Sequence, residues 1–228
     1  RATGLTMTSQ IWLNKENIVV CILKYEPRKM KTIREKALEA ARNRSVFRAC
    51  DVRDATDPRS TLRRMAAEGE IVRVGRGLYA LPDAEVSANH ALVQATKRYP
   101  GGVICLTSAL FFHEIGTQMP YETWMMRPDR KVTLNREFPI RFVYCTGAAF
   151  THGIETHRIE GTEVRIYSSA KTVADCFKYR NKIGLDVATE ALREGWRAKR
   201  FTMDELWKAA GVCRVQSILQ PYMEMLVQ

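Results

Sequence analysis

Between residues 31 and 82 the apolar positions change their period several times. Ile33, Ala37, Leu38 and Ala41 recur at helical spacing and predict a helix over 31–44. Ser45–Ala49 reads as a short link, with a second helix at about Ala49–Ala55. Asp57-Pro58 has the form of an N-cap followed by proline at the first helical position. A third helix then runs from Pro58 to Glu68 and stops at Gly69. Ile71–Val74 and Leu78–Leu81 flank Gly75-Arg-Gly77, which predicts two short strands around a glycine-rich tip, closed by Pro82.

From residue 83 the pattern differs. A helix over about Val86–Arg98 ends at Pro100-Gly-Gly102, followed by a buried strand at Val103–Leu106 and a short helix at Ser108–His113. Strands are expected near Glu122–Arg127 and Ile140–Cys145, and a hairpin from Ile154–Ile159 and Val164–Tyr167. The chain reads as helical from Ser169. Thr202-Met-Asp-Glu205 is a capping box opening a helix that ends at Gly211, and the last helix carries Val215, Ile218, Leu219, Tyr222 and Leu226 on one stripe. Three helices followed by strand, tip and strand is the order of a winged helix-turn-helix. The fold class expected is therefore α+β: an N-terminal winged helix-turn-helix over 30–82, then a mixed α/β C-terminal domain over 83–228 ending in a helical bundle. Residues 1–29 contain one strand-like run, Ile18–Leu23. They are expected to be an extension, either foreign to the native fold or poorly ordered, because one strand alone has no face to pack on. The alternative is that the run adds a strand to a domain or a partner subunit.

Charge sharpens this division. The 228 residues hold 36 Lys+Arg and 25 Asp+Glu, a net charge of +11 with 27% charged and 46% hydrophobic residues. Residues 30–82 alone hold twelve basic and seven acidic residues, whereas 83–228 are nearly balanced at nineteen and sixteen. A located excess of this kind favours a polyanionic partner. In the third helix Leu62, Met65 and Ala66 have the spacing of a core face. Arg59, Ser60, Arg63 and Arg64 share the opposite face, with Thr61 beside the first turn. A helix-turn-helix lays the start of its second helix in the major groove, where an arginine can grip guanine O6 and N7. Arg73 and Arg76 project from the tip, where a wing meets the minor groove or the phosphates.

At this point the run Arg63–Pro82, with Gly75-Arg-Gly-Leu-Tyr79 at its wing, resembles the N-terminal winged helix of the AbiEi family of antitoxins, of type IV toxin–antitoxin modules. The resemblance continues through Gly102–Gly116 and reappears over Ser169–Gly184, so it covers about Met30 to the C-terminus. It implies a transcriptional autorepressor that binds inverted repeats in the promoter DNA of its own operon. It also implies a C-terminal domain that helps neutralise a nucleotidyltransferase-like toxin, with or without a stable complex. DNA contact is carried over to Arg59, Ser60, Thr61, Arg63, Arg64, Arg73 and Arg76. In the C-terminal domain the matching residues are Lys171, Thr172, Asp175, Lys178, Tyr179 and Arg180. The residues themselves leave two readings there. One is a solvated face with Lys171 and Asp175 as an i,i+4 pair opposite Val173, Cys176 and Phe177. The other is a functional patch of Lys171, Asp175, Lys178, Arg180 and Lys182 that touches nucleic acid or a partner.

Other chemistry is thin. The six cysteines are scattered, without a C-x-x-C pair, and are expected to be buried or half-buried thiols in a reducing compartment. The four histidines form no zinc pattern, and no metal or other cofactor is expected. Asp129-Arg-Lys131, with Glu114 upstream, faintly echoes a Mg²⁺ nuclease, which keeps a winged-helix-fused nuclease as an alternative to a non-enzymatic repressor. No P-loop, dinucleotide fingerprint or serine elbow occurs. No apolar run approaches the ~20 residues that span a bilayer, and no secretory signal is read, so a cytoplasmic location is expected.

Overall fold

A computed structural model describes residues 11–13, 19–21, 31–52, 57–130 and 139–227. The chain divides into two compact units, 1–32 and 33–228. In the first, β1 (Ile11–Leu13) and β2 (Val19–Cys21) form an antiparallel pair with Ile11 opposite Cys21. The expected strand at Ile18–Leu23 thus has a partner within the same segment. The rest of the expected 1–29 extension lies outside the described residues.

The second unit opens with α1 (Ile33–Asn43), then β3 (Phe47–Arg48) and a single 3₁₀ turn at Ala49–Val52. Next come α2 (Arg59–Ala67), β4 (Val72–Gly75) and β5 (Leu78–Ala80). The helix expected over Ala49–Ala55 is therefore a 3₁₀ turn over its first four residues, and 53–55 lie outside the described residues. The link before it is a strand: β3 pairs antiparallel with β5, Phe47 opposite Tyr79, in a sheet ordered β3-β5-β4. A two-residue strand carries no period of its own and exists through its partner. Ala37, Ala40 and Ala41 of α1 let α2 approach closely, and Leu62, Met65, Phe47, Ile71 and Tyr79 fill the space between them.

The remainder is an α/β layer under a helical cap. Its elements are α3 (His90–Arg98), β6 (Val103–Ile104), α4 (Leu106–Phe112), β7 (Thr123–Arg127), β8 (Ile140–Tyr144), α5 (Ala148–Thr151), β9 (Ile154–Ile159) and β10 (Thr162–Tyr167). The five strands are ordered β8-β7-β6-β10-β9. β7/β8 and β6/β10 are parallel, and the other two pairings are antiparallel. Five helices follow: α6 (Ser169–Lys178), α7 (Arg180–Ile183), α8 (Leu185–Arg197), α9 (Met203–Cys213) and α10 (Gln216–Val227). The capping box holds as expected: Glu205 N donates to Thr202 Oγ1 at 3.2 Å, and Thr202 N donates to Glu205 Oε2 at 2.8 Å. α9 runs past Gly211 to Cys213, where Arg214 takes a left-handed conformation (φ 60°). The helix expected over 86–98 begins at His90, and Leu106 opens α4 instead of ending a strand. Cys105, Cys176 and Cys213 are buried and Cys145 is half-buried, but Cys50 is exposed against expectation.

The basic segment does not sit apart from this layer. Val46 and Leu78 pack into one cluster with Leu92 and Val93 of α3 and with Ile104, Met125 and Val164 of the five-stranded sheet. The tip of the β9–β10 hairpin reaches the end of α1. Ile159 pairs with Thr162, so Glu160-Gly161 is a two-residue turn, and both residues have positive φ (48° and 71°). That is the type I′ geometry that matches strand twist, and it usually selects Asn-Gly. Here a glutamate takes the first position because its carboxylate is used. Glu160 accepts from the Ser45 hydroxyl, from Ser87 N at 2.7 Å, from Ser87 Oγ at 2.8 Å, and pairs with His90 Nδ1 at 2.8 Å. Ser45 N also donates to the Glu160 carbonyl at 3.3 Å. Gly161 is required twice over, by its φ and because a Cβ there would overlap the Asn43 carbonyl oxygen.

Candidate nucleic-acid interface

α2 starts where Asp57 stops the preceding chain. The Asp57 carboxylate accepts from Arg59 N at 3.1 Å, and Leu62 N closes the first turn on the Pro58 carbonyl at 2.9 Å. It ends at Gly69 (φ 77°), beyond which Glu70 N bonds back to Met65 O at 3.0 Å in a Schellman closure. The Glu70 side chain then receives Arg34 of α1, Nε at 2.9 Å, which ties the two helices.

Between these stops, Leu62 and Met65 face the core at 0% and 1% exposure. Arg59, Ser60, Arg63 and Arg64 are exposed, and Thr61 is half-buried. The structure therefore brings the expected residues of this helix onto one face. Arg59 lies 3.8 Å from Asp57, and Arg64 lies 3.8 Å from Glu68. Both pairs are solvated, so each contributes at most about 1 kcal/mol and is readily exchanged for a phosphate. Arg63 makes no ion pair among the described residues.

The hairpin β4–β5 supplies the other two arginines, both exposed. Its register slips between Arg73 and Gly75, and the Arg73 guanidinium donates through Nε to the Gly75 carbonyl at 3.2 Å across that bulge. Arg76-Gly77 makes the turn, with Gly77 at φ 73°. The turn is held from outside: Arg98 at the end of α3 donates from Nη1 to the Arg76 carbonyl at 2.6 Å. Pattern reading missed Arg98, because a contact 22 residues away leaves no local signal.

The C-terminal candidates split. Lys171 and Asp175 were expected on a solvated side; the structure buries them at 0% and 1% exposure, so they share no surface with Lys178, Arg180 and Lys182. The reason is that α6 is enclosed all round, with residues 169–177 buried in the middle of the helical cap. A helix without a wet side has no polar face for the 3.6-residue period to report. Lys171 Nζ bonds Asp175 Oδ2 at 2.5 Å and lies 4.3 Å from the Tyr167 ring centre, while Cys213 Sγ bonds Asp175 Oδ1 at 3.3 Å. Burial alone would lower Lys171, but its carboxylate partner raises it, so the ammonium stays protonated. Burial pushes the Asp175 carboxyl up. Thr172 is also buried and donates to the Tyr167 carbonyl at 3.2 Å. Lys178 and Arg180 are half-buried and Lys182 is exposed. Lys178 and Lys182 lie 5.7 and 6.0 Å from the Tyr179 ring. Arg180 Nη1 donates to the Phe177 carbonyl at 3.0 Å.

The two carboxylates of the nuclease echo each have an arginine partner. Glu114 is exposed and paired with Arg200 at 2.9 Å, Asp129 is paired with Arg127 at 3.4 Å, and Lys131 lies outside the described residues. Among the described residues no group of three or more His, Cys, Asp or Glu is placed to hold a metal ion. No helix among them is long and apolar enough to cross a membrane.

Residues 35–82, the segment that carries this exposed guanidinium face, match a family described as "Transcriptional regulator, AbiEi antitoxin". The family is thus the one that the sequence resembles, and the matched segment holds α2 and the hairpin entire. No curated protein matches the chain. Among solved structures, the RV2827C protein from Mycobacterium tuberculosis is similar over 87% of this chain and 78% of that one, with a TM-score of 0.54 and 14% identity. At that identity the likeness concerns the fold alone.

Proposed function

We propose that this chain is the antitoxin of a type IV toxin–antitoxin module and represses its own operon without enzymatic activity. Residues 30–82 act as a winged helix-turn-helix, and 83–228 form the domain that counters a nucleotidyltransferase-like toxin. α2 enters the major groove of promoter DNA bearing inverted repeats, with Arg59, Ser60, Thr61, Arg63 and Arg64 toward bases and phosphates. The β4–β5 hairpin is the wing, with Arg73 and Arg76 beside the groove. The observation that carries this reading is the face of α2, where three arginines stand exposed, two of them only weakly paired, over a buried Leu62–Met65 anchor. A gel shift with the promoter of its own operon tests it. Arg63→Ala with Arg64→Ala should abolish the shifted band while leaving the fold intact. An unchanged band would refute the assignment.

For the C-terminal domain, the cluster Lys178, Arg180 and Lys182 around Tyr179 supports a contact surface for a partner, underpinned by the buried Lys171–Asp175 pair. If that partner is the toxin in a stable complex, the two proteins will co-purify. Growth rescue with no detectable complex would favour antitoxicity without direct blocking.

A further inference from the structure

A cleft of about 620 Å³ opens where the end of α1 and β3 face the β9–β10 hairpin and α3. Arg44 and Arg48 enter it from one side, Arg158 and Arg165 from the hairpin, and Lys97 from α3. Lys97 is already matched by Asp51 at 2.8 Å. Asp51 lines the cleft too, and beyond its pair with Lys97 four guanidiniums face one further lining carboxylate, Glu163. Arg165 donates to the Gly101 carbonyl at 3.3 Å, while Arg44, Arg48 and Arg158 make no ion pair among the described residues. Like charges converging on one concavity repel one another until an anion enters. The wall carries a second sign of an absent partner. Thr96 and Thr162 both line the cleft, and the Oγ1 of each is buried with no hydrogen-bond partner. Thr162 is 6% exposed as a residue. A buried hydroxyl without a partner is uncommon.

We propose that this cleft binds a small phosphorylated ligand of nucleotide size. The volume lies within the ~300–1,000 Å³ of small-molecule sites. Guanidinium forks with hydroxyl donors match phosphate oxygens better than a single carboxylate. The concavity suits an enclosed ligand and not the convex backbone of a duplex. The site is separate from the exposed face of α2 and its existence does not depend on the DNA-binding reading.

The test titrates the full chain calorimetrically, at low ionic strength, with ATP, inorganic pyrophosphate and adenosine. ATP and pyrophosphate should saturate at one per chain, and adenosine should not bind. Arg48→Ala with Arg158→Ala should weaken ATP by about tenfold or more, since each charge-assisted fork is among the stronger polar contacts. Arg158→Glu alone, at an exposed position, gives the same direction if the double variant does not fold. ATP should also slow alkylation of Cys50, which lines the cleft, as mapped by mass spectrometry. Absence of saturation by both phosphate probes, equal binding of adenosine, or undiminished ATP binding in a folded variant would overturn the proposal. So would displacement of ATP by duplex DNA from the Arg63→Ala, Arg64→Ala variant, which would make the cleft a track for the DNA backbone.

Discussion

Glu160 joins the basic segment to the sheet, and its removal is predicted to cost more than any surface carboxylate of this chain. The side chain is 9% exposed and serves Ser45, Ser87 and His90 at once. Hydrogen bonds to a charged group contribute about 1.5–3 kcal/mol each. Deletion also returns the desolvation cost of the carboxylate and lets water reach Ser87 and His90, so the net loss for Glu160→Ala is about 2–3 kcal/mol. Alanine keeps the left-handed strain of the turn, so the comparison isolates the carboxylate. For a unit of this size each kcal/mol moves Tm by about 2–4 °C, which gives a fall of about 4–12 °C by calorimetry. Burial would raise the Glu160 carboxyl, but bonds from Ser45, His90 and Ser87 hold it below the ordinary glutamate value. A lowered folded-state value means the contribution is complete at neutral pH and is lost as pH falls through that value. Wild type should therefore lose Tm on acidification faster than Glu160→Gln, and their difference should shrink in acid. Equal Tm for wild type and Glu160→Ala at neutral pH, or parallel acid profiles for wild type and Glu160→Gln, would show that the Glu160 carboxylate does not hold this junction.

Three further outcomes follow from the same geometry. Gly161→Ala should destabilise by more than about 2 kcal/mol in urea denaturation, because it combines a positive φ with overlap on the Asn43 carbonyl. Asp175→Ala should cost about 3–5 kcal/mol by stranding the Lys171 ammonium. Lys171→Met with Asp175→Leu should cost far less, and equal losses would show that the pair is not acting as a buried charge pair. Arg98→Ala frees the Arg76 carbonyl at the hairpin turn and should weaken promoter binding several-fold while changing Tm by only a few degrees. A Tm collapse, or no change in binding, would contradict a role in holding the turn.

Where an element has one wet and one dry side, the chain's period reveals it. The stripe Leu62–Met65, the stop at Gly69 and the capping box at Thr202 were all legible, and so was the arginine face of α2. Three features were not, each for a physical reason. β3 is two residues long and owes its existence to β5. α6 is enclosed, so Lys171 and Asp175, placed four apart, read as a surface pair when they are an internal one. Glu160 and Arg98 act across 70 and 22 residues on His90 and Arg76, and only the folded chain brings those partners together.

In the proposed function α2 and its hairpin carry the DNA contact. Its most direct measurement is fluorescence anisotropy of the labelled operon promoter, titrated with wild type and with Arg63→Ala, Arg64→Ala over a range of salt. Each lost phosphate contact should reduce the slope of log K against log salt by about one. Each lost base contact should cost about 1–3 kcal/mol on the promoter and relax its preference over scrambled duplex. The double variant should bind the promoter more weakly, with a shallower slope, a smaller promoter preference, or both. Affinity, slope and preference identical to wild type would contradict that assignment.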